Sequence, residues 1–157
     1  RRVIFVDVHT GLGEFGNYAI IMNNPEESPE YQRGAGIWRE HVETTMNNSV
    51  STHIHGPLKL AIPKMLPNAE VTAVSLEFGT DDTRRVLMTL REENWLFHYG
   101  NMSDQTASRI KQHLLEMFYP DALAWKYSIW EQGKYVVDQV LDYFNKTEAH
   151  DQISVDN

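Results

Sequence analysis

The feature that most constrains this chain lies at its start. Residues 3–6, Val-Ile-Phe-Val, are a continuous apolar run, extended by Val8. A run this short and this rich in β-branched residues reads as a strand covered on both faces of an α/β sheet. Asp7 interrupts it near its carboxyl end, and His9-Thr10-Gly11-Leu12-Gly13 then reads as a glycine-bearing loop. In open α/β sheets ligands sit beyond the carboxyl ends of strands, so His9 stands where chemistry is usually placed.

A second strand reads clearly over residues 71–78. Val71, Ala73, Ser75 and Glu77 share one face, and Thr72, Val74, Leu76 and Phe78 the other. Gly79-Thr80 is expected to turn the chain. Between the two strands the pattern is weaker. Residues 17–22 fit a short strand, residues 23–29 a polar, proline-bearing exposed loop, and residues 30–45 a mixed helical stretch with Ala35, Trp38 and Val42 in helical spacing. Gly34 and Gly36 count against one unbroken helix there. Residues 47–52 read as a polar loop, and residues 59–65 as a short helix limited by Pro63.

After the second strand the pattern is helical. Asp82 or Thr83 can cap a helix reaching about Phe97, with Val86, Leu87, Leu90 and Asn94 turned inward. Ser103 can cap the next, whose apolar stripe is Ala107, Ile110, Leu114 and Phe118, ending before Pro120. Residues 122–144 form a last helical stretch containing Trp125, Ile129, Val136, Val140 and Leu141, with Gly133 as a break. The polar residues from Lys146 onward read as a frayed tail. The expected organisation is one α/β domain over residues 1–145, a mixed central sheet flanked by helices, and a polar tail over 146–157.

Charge and cysteine content narrow the function classes. Fourteen basic against twenty-two acidic residues give a net charge of −8. With no basic stripe to offset this, nucleic-acid binding is not expected. The chain has no cysteine, which removes disulfides, thiolate metal clusters and cysteine nucleophiles together. No apolar run approaches the roughly 18 residues of a membrane span, and Arg1-Arg2 is not followed by a signal-peptide pattern. No membrane role is expected, and the cytoplasm is the favoured compartment. No phosphate-cradling glycine loop and no Gly-x-Ser-x-Gly elbow occur.

Three side chains remain as candidates for chemistry. Asp7 and His9 are two apart on a strand, so both leave the same face, and a carboxylate there can fix the tautomer of a metal-bound histidine. A histidine so placed can equally be a simple hydrogen-bonding residue. Glu77 is an acidic residue within an apolar strand. Burial would raise its pKa toward the range a general base needs near neutrality, unless an arginine such as Arg84 or Arg85 pairs with it. Arg84, Arg85 and Arg91 can hold a substrate carboxylate or serve in surface ion pairs. His53 and His55 would share one face if extended and could join His9 around a metal. His98 reads as a helix-terminal histidine and His113 as a solvated one. Trp95, Tyr99, Trp125 and Trp130 read as core or interface rather than ligand-stacking residues.

Together the segments Asp7-Val8-His9-Thr10-Gly11-Leu12-Gly13, Ser75-Leu76-Glu77-Phe78-Gly79-Thr80 and Leu90-Arg91-Glu92-Glu93-Asn94-Trp95-Leu96 resemble a bacterial branch of the zinc carboxypeptidase superfamily, near the succinylglutamate desuccinylase and aspartoacylase group. The resemblance implies a zinc-dependent hydrolase of peptide or N-acyl amide bonds. It implies His9 as one zinc ligand and Glu77 as the carboxylate that activates water and passes the proton to the leaving amine. Its substrate would be a peptide or an N-acyl amino acid; no substrate-binding residue is assigned. Packing logic adds that Gly11 and Gly13 keep the loop after His9 open to substrate.

The chain departs from that pattern in one respect. The family's metal set includes a His-x-x-Glu pair upstream of the later histidine, whereas here only eight residues precede His9, and the residues after His41 are Val42, Glu43 and Thr44. The chain therefore reads as lacking an N-terminal part, with an incomplete metal site and no turnover by itself. Missing sheet neighbours would leave an exposed edge around residues 3–8 that invites self-association. The alternative reading is a non-catalytic binding or assembly module, or a degenerate relative without a complete metal site.

Overall fold

The computed structural model describes residues 1–46, 56–101 and 103–155. Its elements are β1 (Arg2–Leu12), β2 (Tyr18–Met22), α1 (Pro29–Trp38), a 3-10 turn (Arg39–His41), β3 (Val42–Thr44), α2 (Leu58–Met65), β4 (Glu70–Asp81), α3 (Thr83–Tyr99), α4 (Gln105–Phe118) and α5 (Leu123–Val155). The sheet order is β1-β4-β2-β3. β1 runs parallel to β4, β4 antiparallel to β2, and β2 parallel to β3, so the sheet is mixed and the architecture α/β. Among the described residues no helix is long and apolar enough to cross a membrane.

The two faces of the sheet have different fates. Ile20, Met22, Val74, Leu76 and Phe78 point into the main core, where they meet Ile37 and Trp38 of α1 and Val136 of α5. The indole N–H of Trp38 donates to the Val136 carbonyl at 3.2 Å, fastening the two helices that cover this face. Trp125, also fully buried, donates to the Gly79 carbonyl at 2.9 Å and ties α5 to β4. On the opposite face, α2 lies against β4 and β1.

Both principal strands run further than the residue pattern suggests. β1 continues through His9 to Leu12, so His9 lies within a strand rather than before a loop, and β4 continues through Gly79 and Thr80 to Asp81. The close passage of the 13–17 segment explains the second extension. Gly79 N donates to the Asn17 carbonyl at 2.8 Å and Gly16 N to the Gly79 carbonyl at 3.1 Å. A Cβ at Gly79 would fall against the backbone of Gly13 and Glu14.

Gly11 has a packing role. Its φ is +140°, and a Cβ there would stand 2.6 Å from the Phe118 ring. Its neighbour Thr10 donates to the Phe118 carbonyl at 2.7 Å, which seats the end of α4 on β1. β1 itself is half-buried rather than covered on both faces. Among the described strands it pairs with β4 alone, and Val8 is 63% exposed at this edge. An apolar run shows that a strand is packed but not how many neighbours it has.

The helical readings differ from the structure in detail. The stretch 30–45 divides into α1, the 3-10 turn and β3, because Arg39 takes a positive φ of 56° and ends the helix. Asp82 caps α3, accepting from Arg84 N and Arg85 N. Asp104, not Ser103, caps α4. The inward face of α3 is Val86, Thr89 and Leu96, whereas Leu87 and Leu90 are exposed. Leu141 is likewise exposed on α5. Gly133 does not break α5; it lies over Phe78, and the helix continues past Lys146 to Val155. Trp95, Tyr99 and Trp130 are all at least half exposed, so only Trp125 of those four aromatic residues belongs to the core. The loop expected at 47–52, with His53 and His55, lies outside the described residues.

Candidate functional site

Register builds the site. In the parallel β1–β4 ladder Asp7 stands opposite Ser75 and His9 opposite Glu77. On the other side of β4, Ala19 stands opposite Glu77 and Ile21 opposite Ser75. Directly paired residues share a face, and so do residues two apart along a strand. Asp7, His9, Ser75, Glu77, Ile21 and Asn23 therefore line one side of the sheet. That side opens into a cleft of about 430 Å³, roofed by Pro57, Leu58 and Lys59 at the start of α2. The volume is within the range of small-molecule and peptide sites.

Within the cleft, Asp7 and His9 form a pair. Asp7 Oδ2 lies 2.9 Å from His9 Nε2, so the carboxylate orients the imidazole through that nitrogen. The histidine remains about half exposed.

Glu77 lies deeper, only 8% exposed. Burial pushes its carboxyl above the ordinary glutamate value, because the charged form loses water. Three neighbours oppose that push: the Leu12 N–H, which donates to Glu77 Oε1 at 3.0 Å, and the charges of His9 and Lys59. Among the described residues no arginine is its partner. Arg85 instead pairs with Asp81 one helical turn away, at 3.1 Å.

The cation that faces Glu77 is Lys59, a residue whose role sequence reasoning missed. It is 7% exposed, and its ammonium donates to the Ile21 carbonyl at 2.9 Å. Desolvation lowers its pKa to about 8, against the opposing pull of Asp7 and Glu77. A signal was present: Lys59 stands in the apolar run Leu58-Lys59-Leu60-Ala61-Ile62, where a lysine is hard to keep solvated.

Asn23 was also missed, having been assigned to an exposed loop. It is 6% exposed, and among the described residues neither its Oδ1 nor its Nδ2 has a hydrogen-bond partner. An unpaired buried amide costs about 1–3 kcal/mol by mutational measures. The backbone on either side is held: Thr45 N donates to the Met22 carbonyl at 3.0 Å, and Thr44 Oγ1 to the Asn24 carbonyl at 2.8 Å.

As a possible metal site, the described part of the cleft is partial. His9 offers one ring nitrogen beyond the one facing Asp7, and among the described residues no cluster of three His, Cys, Asp or Glu side chains forms around it. A catalytic zinc generally takes three protein ligands, so these residues alone do not make a full set. The other described histidines stand elsewhere. His41 stacks on Tyr18 at 4.7 Å, His98 is in the last turn of α3, and His113 lies 3.5 Å from Glu92 on the α3–α4 surface. Arg91, Glu92 and Trp95, from the third sequence segment, line a separate groove between α3 and α4.

What the cleft offers chemically is a buried carboxylate of raised pKa, an oriented histidine on the same rung, a buried ammonium and an unsatisfied amide. No curated protein and no solved structure matches the chain. One family model does, described as a protein of unknown function (DUF2817), over residues 1–132. That match spans Asp7, His9, Asn23, Lys59 and Glu77 of the cleft, and the chain belongs to the DUF2817 family.

Proposed function

We propose that this cleft belongs to a zinc-dependent hydrolase of peptide or N-acyl amide bonds. The observation that carries the reading is the shared rung: His9 and Glu77 face one another across β1 and β4 and open into one cleft. The resemblance of the segments around them to the zinc carboxypeptidase superfamily supports it.

In this reading Glu77 is the general base and then the general acid. Its burial suits the task, since a carboxylate that holds a proton more tightly than usual can accept one from water and return it to a leaving amine. The Leu12 N–H fixes one carboxylate oxygen and leaves the other free for proton transfer. Lys59 keeps Glu77 from becoming too weak an acid. Asp7 positions His9, which would be one zinc ligand, with the others supplied from outside the described residues. Zinc bound there would polarise the scissile carbonyl and acidify water.

The test is Glu77→Gln in the zinc-loaded full-length protein, assayed on a blocked peptide and an N-acyl amino acid. Hydrolysis is expected to fall ~10²–10⁴-fold, the usual contribution of a general base, with zinc content unchanged. Undiminished hydrolysis at retained fold and zinc would overturn the assignment of Glu77. Tight substrate binding without any hydrolysis in the wild-type protein would favour a binding or assembly module.

A further inference from the structure

We infer that Asn23 recognises an amide group of an extended, peptide-like substrate, several residues away from the bond presented to Glu77. This rests on the hydrolase reading for which bond is cut, but the recognition itself stands on separate observations.

The first is the state of the side chain. Asn23 borders the cleft and is more than nine-tenths buried; neither its donor nor its acceptor has a partner among the described residues or any exposure to solvent, so a ligand engages them once the side chain turns toward the cleft. An amide with both groups free is complementary to another amide. Nδ2 can donate to a substrate carbonyl while Oδ1 accepts the substrate N–H. A carboxylate would satisfy only the donor, and an apolar acyl chain neither.

The second is fixed placement. The neighbouring Met22 and Asn24 carbonyls are engaged by Thr45 and by Thr44 at the end of β3, so the side chain projects from a held backbone. The Lys59 ammonium donates to the Ile21 carbonyl and makes no hydrogen bond to Asn23.

The third is distance. Ala19 lies opposite Glu77, and Asn23 is four residues further along the same strand direction. At a rise of about 3.3 Å per residue this is roughly 13 Å, the length of about four residues of extended chain. A ligand laid along the strand direction from Glu77 to Asn23 therefore spans an oligopeptide's length, more than that of an N-acyl amino acid.

The probe is N-acetyl-tetraalanine methylamide, with a set of analogues in which one amide at a time is replaced by an ester. Binding is read by NMR on the ¹⁵N-labelled full chain, following the Asn23 side-chain NH₂. The peptide should shift that resonance, and N-acetylalanine should not. One ester position should weaken binding about tenfold or more, the loss expected for one buried hydrogen bond. Asn23→Leu should weaken the parent peptide similarly and abolish the difference between that ester and the amide. Asn23→Asp, which keeps the shape and the acceptor but not the donor, guards against a folding defect in the leucine variant. It should also bind the peptide less tightly.

An unshifted Asn23 NH₂ at millimolar peptide would overturn the inference. So would equal peptide binding by the folded variants, or ester losses unchanged by Asn23→Leu. Cleavage of the bound peptide reads the hydrolase assignment separately. Asn23-dependent binding without Glu77-dependent cleavage defeats that assignment and leaves this one standing, and Glu77-dependent cleavage without an Asn23 effect does the reverse.

Discussion

Replacing Lys59 by methionine should make the protein more stable at neutral pH and less stable in strong alkali. The ammonium is buried, and its pKa is lowered from 10.5 to about 8. That gap corresponds to about 3 kcal/mol of preference for the neutral amine in the folded state. Methionine has similar length and no charge, so it escapes this penalty but loses the hydrogen bond to the Ile21 carbonyl, worth about 1 kcal/mol. The net expectation at pH 7 is a gain of about 2 kcal/mol for Lys59→Met.

The sign with pH follows from proton counting. Between about 8 and 10.5 the unfolded chain keeps the lysine proton and the folded chain has released it, so wild-type stability rises with pH across this interval. The penalty is fully present below about 8 and gone above 10.5. The variant lacks this titration, so the stability difference should shrink above pH 8 and reverse sign at about pH 9.5. Urea unfolding of both proteins from pH 7 to 11, followed by far-ultraviolet circular dichroism, measures the difference directly, and other alkaline groups largely cancel in it. A difference that stays flat across the interval, or a variant less stable than wild type at pH 7, would refute the reasoning.

The same pair of residues should be visible in a carboxyl titration. The Glu77 midpoint, read by ¹³C NMR, should lie above the ordinary glutamate value and rise further in Lys59→Met, because the lysine charge now opposes burial. Since the folded value exceeds the unfolded one, the contribution of Glu77 to stability should fall as pH rises between the two. Gly79→Ala should cost about 3 kcal/mol or more in urea unfolding, because the new methyl meets the Gly13 and Glu14 backbone and not a side chain that can move aside. A cost below about 1 kcal/mol would mean that the 13–17 segment can shift freely.

Much of the fold could be read from residue order, and the reasons are local. β1 and β4 combine apolar residues with a few misplaced polar ones, and the alternation on β4 assigns its faces correctly because a pleated strand leaves no other choice. β3 was hidden because Val42 falls in helical spacing with Ala35 and Trp38, and only the backbone at Arg39 shows that the helix has stopped. Leu87 and Leu90 misled because hydrophobicity marks an apolar side of α3 without showing which side meets a neighbour. In the cleft, Asp7 and His9 were legible from their spacing and Glu77 from its apolar context. Lys59 left only the faint signal of a lysine in an apolar run and Asn23 left none, since burial of each in the cleft brings together segments distant in the chain.

The matched numbering of β1 against β4 has a consequence for descent. Every step from Arg2↔Glu70 to Gly11↔Gly79 advances both strands together. A single-residue insertion in either strand would preserve the ladder bonds beyond it while rotating Asp7 and His9, or Ser75 and Glu77, to the side covered by α1 and α5. Lineages can thus lengthen the connections between the strands without disturbing the cleft, but not the intervals 7–9 or 75–77 themselves. A relative in which either short interval has changed by one should have kept the sheet and lost the chemistry.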